Sequence, residues 1–260
     1  MELVLIGVVA LLTAGLTLFS GFGLGTVLMP VFALFFPVPL AIAATAVVHF
    51  ANNIFKFGLM ARKADWQVVL RFSLPAAIAA MAGASLLNLF DSMPFMASYT
   101  VGGSTFEITV IKAVIGILIA AFALLELWPW FQALAFPPRW LSLGGALSGF
   151  FGGLSGNQGA LRSAFLLKTG LSKEAFVATG VVSAVMVDAA RLVVYGTGVM
   201  AGHLAQLQEL IAPVAVGTVC ALIGSFAGSR ILQKVTLRTV QIVVAVAMLL
   251  IGAGLAAGVV

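Results

Sequence analysis

Long apolar runs recur from one end of this chain to the other, and they restrict its fold more than any other feature. Only 8% of the residues are charged and 62% are hydrophobic, whereas a soluble domain carries about 25% charged residues. This inventory cannot build a surface that faces water. The runs do not alternate between apolar and polar residues, as the strands of an outer-membrane barrel do. We therefore predict an all-α polytopic membrane protein.

The apolar runs divide into about ten hydrophobic segments. Most are long enough to cross a hydrocarbon core of about 30 Å at a rise of about 1.5 Å per residue. The second and the seventh are too short to do so comfortably, and each directly follows a glycine-rich break, so we predict a short broken helix at both places. The ten segments are 3–19, 26–36, 39–60, 68–90, 109–127, 140–154, 158–169, 172–195, 207–232 and 239–259.

Two stretches, one in each half of the chain, align at a shift of 134 positions. "GFGLGTVLMPVFALFFPVPLAIAATAVV" aligns with "SGNQGALRSAFLLKTGLSKEAFVATGVV". The alignment predicts two transmembrane repeats, 1–127 and 140–260, joined by an interfacial linker at 128–139. Because each repeat has five segments, an odd number, we predict that the second is inverted, as in many secondary transporters. The aligned pairs are Gly25 with Gly159, Ala41 with Ala175 and Thr45 with Thr179.

Lysine and arginine are concentrated in one set of the connections between segments. The positive-inside rule places these odd-numbered connections in the cytoplasm and both termini outside it. We therefore predict a multi-pass protein of the cytoplasmic (inner) membrane. No basic residue precedes the first segment, which favours a first membrane helix over a cleaved signal peptide. The odd connections hold Arg62, Lys63, Arg71, Arg139, Lys168, Lys173, Arg230, Lys234 and Arg238, and the even ones hold Asp91, Glu107, His203 and Glu209.

The second break, "GGLSGNQGALRSAF", places glycines, amides and an arginine inside an apolar region. Broken backbone at membrane depth is tolerated only inside protein or beside a wet cavity, and the N-termini of short helices favour an anion. We therefore predict an anion site between the two breaks, with an arginine one turn into the seventh segment as a partner of the oxyanion. The predicted substrate-binding residues are Gly23, Gly25, Thr26, Asn157, Gln158, Gly159 and Arg162.

Each part of this site has a structural alternative. The glycines also suit packing seams, because small residues four apart let membrane helices approach closely. Arg162 also suits snorkelling or a structural ion pair. Asn157 and Gln158 also suit capping of the short helix that follows them. The sequence leaves these alternatives open.

Two further polar clusters lie inside predicted membrane segments. In "VVHFANNIFKF" the polar residues from His49 to Lys56 recur at spacings of three and four, on one helix face. In "VSAVMVDAARLVVY" an aspartate and an arginine are three residues apart. The histidine suits proton coupling because it titrates near neutral pH; a neutral hydrogen-bonding histidine and a structural ion pair are the alternatives. The candidates for coupling or polar lining are His49, Asn52, Asn53, Asp188 and Arg191.

Each half has a glycine-rich break and an Ala-x-x-x-Thr step, and the first half also has Pro30. With these features the chain resembles the TauE/SafE family of sulfite exporters over nearly its whole length. The resemblance implies export of sulfite or an organosulfonate. The chain departs from the family pattern, since "GFGLG" and "GGLSGNQG" replace three adjacent glycines and Ala164 stands opposite Pro30. The residues that carry the resemblance are Gly21, Gly23, Gly25, Ala41 and Thr45, and Gly152, Gly153, Gly156, Gly159, Ala175 and Thr179.

Other functions compete with a sulfite or sulfonate exporter. A transporter of another small anion, such as a carboxylate or thiosulfate, and an anion channel both fit the same residues. A membrane-embedded enzyme needs a nucleophile–base pair or a metal cluster, which two histidines and one cysteine hardly support. We therefore predict no catalytic residue, metal or cofactor. The predicted partners are a small anion and the lipid bilayer, not nucleic acid, and the small-residue seams permit a homodimer.

Overall fold

The computed structural model describes residues 1–16, 24–231 and 237–259, and the chain is mostly helical (81%). The first half contains helices α1 (Glu2–Leu16), α2 (Leu24–Ala33), α3 (Val38–Met60), α4 (Trp66–Asp91) and α5 (Val110–Leu127), with strands β1 (Phe95–Val101) and β2 (Ser104–Thr109) before α5. The second half contains α6 (Pro129–Gln132), α7 (Leu141–Ser155), α8 (Gly159–Leu166), α9 (Lys173–Thr197), α10 (Val199–Gly202), α11 (Leu204–Ile231) and α12 (Leu237–Ala256).

Some positions used in the sequence analysis lie outside the described residues. They are the predicted ends of the first and ninth segments at 19 and 232, the glycines Gly21 and Gly23, and Lys234. The side chains of Arg230 and Arg238 lie outside them as well.

Five helical stretches of the described chain are long and apolar enough to cross a membrane. They are Val38–Lys63, Trp66–Asp91, Val110–Leu127, Lys173–Gly202 and Leu204–Gly228, and Glu2–Gly15, Leu24–Ala33 and Val244–Ala256 are shorter apolar helices. Large apolar side chains point outward from these helices; Ile78 and Leu250, for example, are each 71% exposed. Lipid accommodates such a surface and water does not. The fold agrees with the predicted class of helical polytopic membrane proteins.

Two short helices, α2 with 10 residues and α8 with 8, stand where short segments are expected. At about 1.5 Å per residue, each covers half of a hydrocarbon core or less. Before α8, helix α7 stops at Gly156, whose φ of +83° is left-handed and suits glycine, which has no Cβ. The second break is therefore an interruption of the helix. The first break, residues 17–23, lies outside the described residues.

A β-hairpin between α4 and α5 is a feature that the sequence analysis left unassigned. Gly102 and Gly103, both with positive φ, form its two-residue turn. Its side chains are mostly exposed. Tyr99 donates a hydrogen bond of 2.7 Å to the carbonyl oxygen of Ala257, which joins the hairpin to the chain just after α12. The alternation in "YTVGGSTFEI" around two glycines was the available signal.

Glycines form the seam between α4 and α7. They recur every fourth residue of α7, on the face that packs against α4. A Cβ atom on any of them would overlap a backbone carbonyl oxygen of α4, so the two backbones approach as closely as small residues permit. The overlapping pairs are Gly145 with Phe72, Gly149 with Ala76 and Gly153 with Ala80.

A second seam of the same kind joins α1 and α11. A Cβ atom on Gly224 would overlap the carbonyl oxygen of Leu11, and one on Gly228 would overlap that of Gly15. The predicted homodimer relied on small-residue seams, and these two glycines belong to such a seam. They are occupied by packing within the chain, so this seam does not argue for a dimer.

Helix α3 is the most enclosed membrane-spanning helix that the structure describes. In its most apolar window 72% of the residues are buried, compared with 33–50% in the four other long helices. It packs antiparallel to α9: His49 contacts Asp188 halfway along, and Met60 and Val177 line one cavity nearer the end of α3. The polar residues of α3 and α9 therefore lie together inside the protein.

Candidate functional site

The carboxylate of Asp188 on α9 is the centre of a polar cluster between α3 and α9. Its residue is fully buried. His49 Nδ1 donates to Oδ2 at 2.6 Å, and Arg191 donates to Oδ1 from Nε at 3.1 Å and from Nη2 at 2.8 Å. A carboxylate at membrane depth is accommodated only when it is paired and hydrogen-bonded. The structural ion pair considered for Asp188 and Arg191, both on α9, is present, and it extends to a second helix, α3.

Two amide side chains complete the surroundings of this carboxylate. Asn53 on α3 donates to Asp188 Oδ2 at 3.2 Å, and Gln158 from the second break donates to Oδ1 at 3.4 Å. Asp188 thus joins α3, α9 and the second break. The positions of α3, α9 and the second break therefore all depend on this carboxylate.

Side chains of α9 also satisfy the broken end of α7. The last carbonyl groups of a helix have no partner within it. The hydroxyl of Tyr195 donates to the carbonyl oxygen of Gly153, and Arg191 Nη1 donates at 2.9 Å to that of Gly152, which also accepts from the N–H of Gly156. Tyr195 was not among the predicted site residues. Its spacing of four from Arg191, on the same helix face, was the available signal.

The start of α2 lies against the second break. A Cβ atom on Gly25 would lie 3.6 Å from the carbonyl oxygen of Gly156 and 3.7 Å from Cδ2 of His49. Thr26, the next residue, is buried. The structure therefore brings the start of α2, the second break and the histidine of α3 together. Gly23 lies outside the described residues.

The amide residues of the second break do not cap α8. Gln158 occupies the N-cap position without a side-chain capping bond, because its side chain is turned to Asp188. Asn157 donates instead to Ser155 Oγ at 3.2 Å. Gly159 is buried and begins the helix. The capping alternative is thus wrong for both amide side chains.

Arg162 lies in α8 and faces α9. Its Nε would be 3.6 Å from a Cβ atom on Gly180. Its Nη1 atom is buried and has no hydrogen-bond partner in the described residues. The guanidinium is close enough to Asp188 and Lys56 to interact electrostatically with both. It forms no salt bridge with Asp188. Arg162 therefore enters the cluster as a cation with a spare donor.

A second spare donor lies on α3. Asn52 is 1% exposed; its Oδ1 accepts a bond of 2.7 Å from Ser225, but its Nδ2 has no partner in the part of the chain that the structure describes. The hydroxyl of Thr45, also on α3, is likewise buried and unpaired there. An unpaired buried donor is costly. A bound anion is one way to satisfy such donors.

The charges of the cluster do not balance. Lys56 and Arg191 are buried cations and Arg162 is a half-buried one, whereas Asp188 is the one carboxylate that they surround among the described residues. With His49 neutral, the cluster has an excess of two positive charges. Such an excess at membrane depth requires compensation. An anion would supply it.

His49 and Asp188 are hydrogen-bonded directly to each other, whereas a metal-dependent enzyme would need a cluster of ligands around an ion. No group of three or more His, Cys, Asp or Glu residues that could hold a metal occurs among the described residues. The pair instead takes its other bonds from Asn53 and Arg191. The polar cluster has the donors and charge of an anion site.

The sequence was also compared with known proteins. The profile of the family described as Sulfite exporter TauE/SafE matches residues 3–255. The chain belongs to the TauE/SafE family. This is a family of membrane transporters and not of enzymes, and it identifies the chain as a multi-pass membrane protein of a class that moves sulfur anions. No match was found among curated proteins or among solved structures.

Proposed function

We propose that this TauE/SafE protein is a secondary transporter that exports sulfite or an organosulfonate across the cytoplasmic membrane. The observation that carries the proposal is the excess of buried and half-buried positive charge beside the second break, with an unpaired buried donor on Arg162. An oxyanion provides both negative charge and acceptor atoms. The family membership supports the sulfur anion.

In this proposal the anion lies between the N-termini of the two short helices. The free N–H groups and partial positive charge of each N-terminus favour an anion. The close approach of Gly25 to the second break supports this placement. Arg162 provides the guanidinium, and the remaining lining residues are Gly23, Thr26, Asn157, Gln158 and Gly159.

The packing of the helices supports two inverted repeats, 1–127 and 140–260. At the shift of 134 positions, α1 corresponds to α7, α3 to α9, α4 to α11 and α5 to α12. When each helix is replaced by its counterpart, the α4–α7 seam becomes the α11–α1 seam. The α3–α9 and α5–α12 contacts stay in place, because each of them joins a helix to its own counterpart. The antiparallel packing of the counterparts α3 and α9 supports an inverted second repeat. Access to the anion then alternates as one repeat rocks against the other.

The distribution of charge supports a cytoplasmic location for one end of this bundle. Lys63 and Lys173, on predicted cytoplasmic connections, line the same cavity. Asp91 and His203, on predicted outer connections, lie 3.7 Å apart. An inside-negative potential drives an anion outward by about 2.3 kcal/mol per charge per 100 mV. Efflux is therefore favourable even without a coupling ion.

Replacing Arg162 with alanine tests the proposed site. A charge-assisted hydrogen bond contributes about 1.5–3 kcal/mol, so we expect Arg162→Ala to weaken anion binding about 10- to 100-fold. Uptake and efflux of labelled sulfite in proteoliposomes, with competing thiosulfate and carboxylates, measure affinity and selectivity. Arg139→Ala, at an exposed position, is the matched control. Unchanged affinity and flux in Arg162→Ala would remove Arg162 from the site.

Proton coupling through His49 or Asp188 remains a prediction, and His49→Gln tests it. An inwardly directed proton gradient is expected to accelerate efflux through the unmodified protein and not through His49→Gln, because glutamine keeps a donor but does not titrate. The measurement is sulfite efflux from proteoliposomes with and without the gradient. His203→Gln, a change in the other histidine of the chain, is the control. An equal proton response in His49→Gln would exclude His49 as the carrier.

A further inference from the structure

Lys56 is a buried cation near the inner end of α3, and the proposed anion site does not yet use it. We infer that Lys56 and Arg162 together form a two-cation site that selects a dianionic sulfur oxyanion over a monoanion. This inference rests on the proposed transport of anions and names the charge state that the site prefers.

Lys56 is buried without a counter-ion. It is only 6% exposed, and it makes no hydrogen bond or ion pair within the described residues. Asn53, one turn earlier on the same face of α3, donates to Asp188 instead. An ammonium group in this position is costly unless an anion compensates it.

The antiparallel packing of α3 and α9 places Lys56 at the level of Arg162. Lys56 lies seven residues, or about 10 Å, beyond His49 toward the end of α3. Gly180, which Arg162 contacts, lies a similar distance from Asp188 toward the start of α9. The two cations therefore face the same region between α3, α8 and α9. Two cations that face each other repel, which adds to the cost of leaving both without a counter-ion.

A cavity of about 210 Å³ opens near this pair. Met60, one turn beyond Lys56, lines it together with Lys63, Lys173, Glu174 and Val177. Lys63 and Lys173 lie on predicted cytoplasmic connections, so the cavity is on the side from which an exported anion enters. Two lysines against one glutamate leave the rim with a net positive charge, which favours anions by raising their local concentration. Met60 and Val177 place the cavity at the same end of α3 and α9 as the two cations.

The number of uncompensated charges determines the preferred ligand. Asp188 is engaged by two hydrogen bonds from Arg191, so it compensates the charge of Arg191. Lys56 and Arg162 remain, with two positive charges. A dianion such as the doubly ionised form of sulfite, or a sulfonate that also carries a carboxylate, compensates both of them. A monoanion leaves one buried charge unpaired.

Two ligands of fixed charge test the preference. Sulfate is the dianionic probe and methanesulfonate the monoanionic probe, with affinities measured by isothermal titration calorimetry on the full chain in detergent. In Lys56→Gln we expect sulfate binding to weaken about tenfold or more, because a direct charge–charge attraction is lost. Methanesulfonate binding should stay within about threefold. Lys63→Gln, at the exposed rim of the cavity, is the matched control and should leave the ratio of the two affinities unchanged.

A second variant separates charge from folding. Lys56→Met removes a buried uncompensated charge, so the ligand-free variant should unfold at an equal or higher temperature while losing the additional stabilisation by sulfate. Lys56→Arg should retain the preference for sulfate. If the unmodified protein binds sulfate and methanesulfonate, and Lys56→Gln weakens both equally or neither, the two-cation site is overturned. If the unmodified protein binds neither these probes nor sulfite, the proposed function itself fails.

Discussion

Asp188→Asn is expected to destabilise the protein by about 3–5 kcal/mol, the cost of breaking a buried ion pair by removing one partner. The substitution retains the size of the side chain but removes the charge that His49 and Arg191 face. Arg191 would then be a buried guanidinium without a counter-ion. Thermal unfolding of the purified protein in detergent measures the effect, and we expect Tm to fall by roughly 10 °C.

The comparison variants for Asp188 separate charge pairing from a general effect on α9. Glu174→Gln removes an exposed carboxylate from the first turn of the same helix and should change Tm little. In Asp188→Asn/Arg191→Met both charges of the pair are absent, so part of the lost stability should return. A Tm for Asp188→Asn equal to that of the unmodified protein would show that the cluster does not hold α3 and α9 together.

Gly149→Leu is expected to separate α7 from α4 and to prevent recovery of a monodisperse protein. Even the Cβ atom of leucine would overlap the carbonyl oxygen of Ala76. A backbone atom cannot rotate away as a side chain can, so the cost is at least the 1–3 kcal/mol typical of overpacking. Size-exclusion chromatography in detergent and thermal unfolding measure the result. Gly149→Ala should be intermediate, because it adds the overlapping atom alone.

Gly58→Leu is the matched control for the seam. Gly58 is also a helical glycine, but a Cβ atom there would meet nothing within 4 Å. Leucine also favours a helix more than glycine does, so this variant should be as stable as the unmodified protein or slightly more stable. If Gly149→Leu and Gly58→Leu behaved alike, close approach of α4 and α7 would not be what the α7 glycines provide.

Sequence periodicity and composition were sufficient to predict the class of fold, because they report on each helix separately. Apolar runs of adequate length must be membrane helices, since a broken or extended backbone in lipid leaves its polar groups unsatisfied. The two short helices were predictable for the same reason, from glycines that precede runs too short to span. The hairpin at 95–109 was not assigned, because it lies at the surface, where no apolar pattern is required.

The positions of the site residues along their helices were also accessible from the sequence, but their partners were not. A spacing of three places Asp188 and Arg191 on one face of a helix whatever the rest of the chain does. The bond between His49 and Asp188 joins residues 139 positions apart. Nothing local specifies it, because it depends on the antiparallel packing of α3 against α9.

By itself the sequence determined that this chain is a helical membrane protein with glycine-rich breaks, and it located the residues that carry charge inside the membrane. Only the tertiary structure decided what those residues face. In that structure Gln158 is a hydrogen-bond partner of Asp188 and not a helix cap. Lys56 and a donor of Arg162 have no partner in the described residues. The physical reason is that helix periodicity orients a side chain relative to its own axis, whereas charge compensation depends on which helices pack around it.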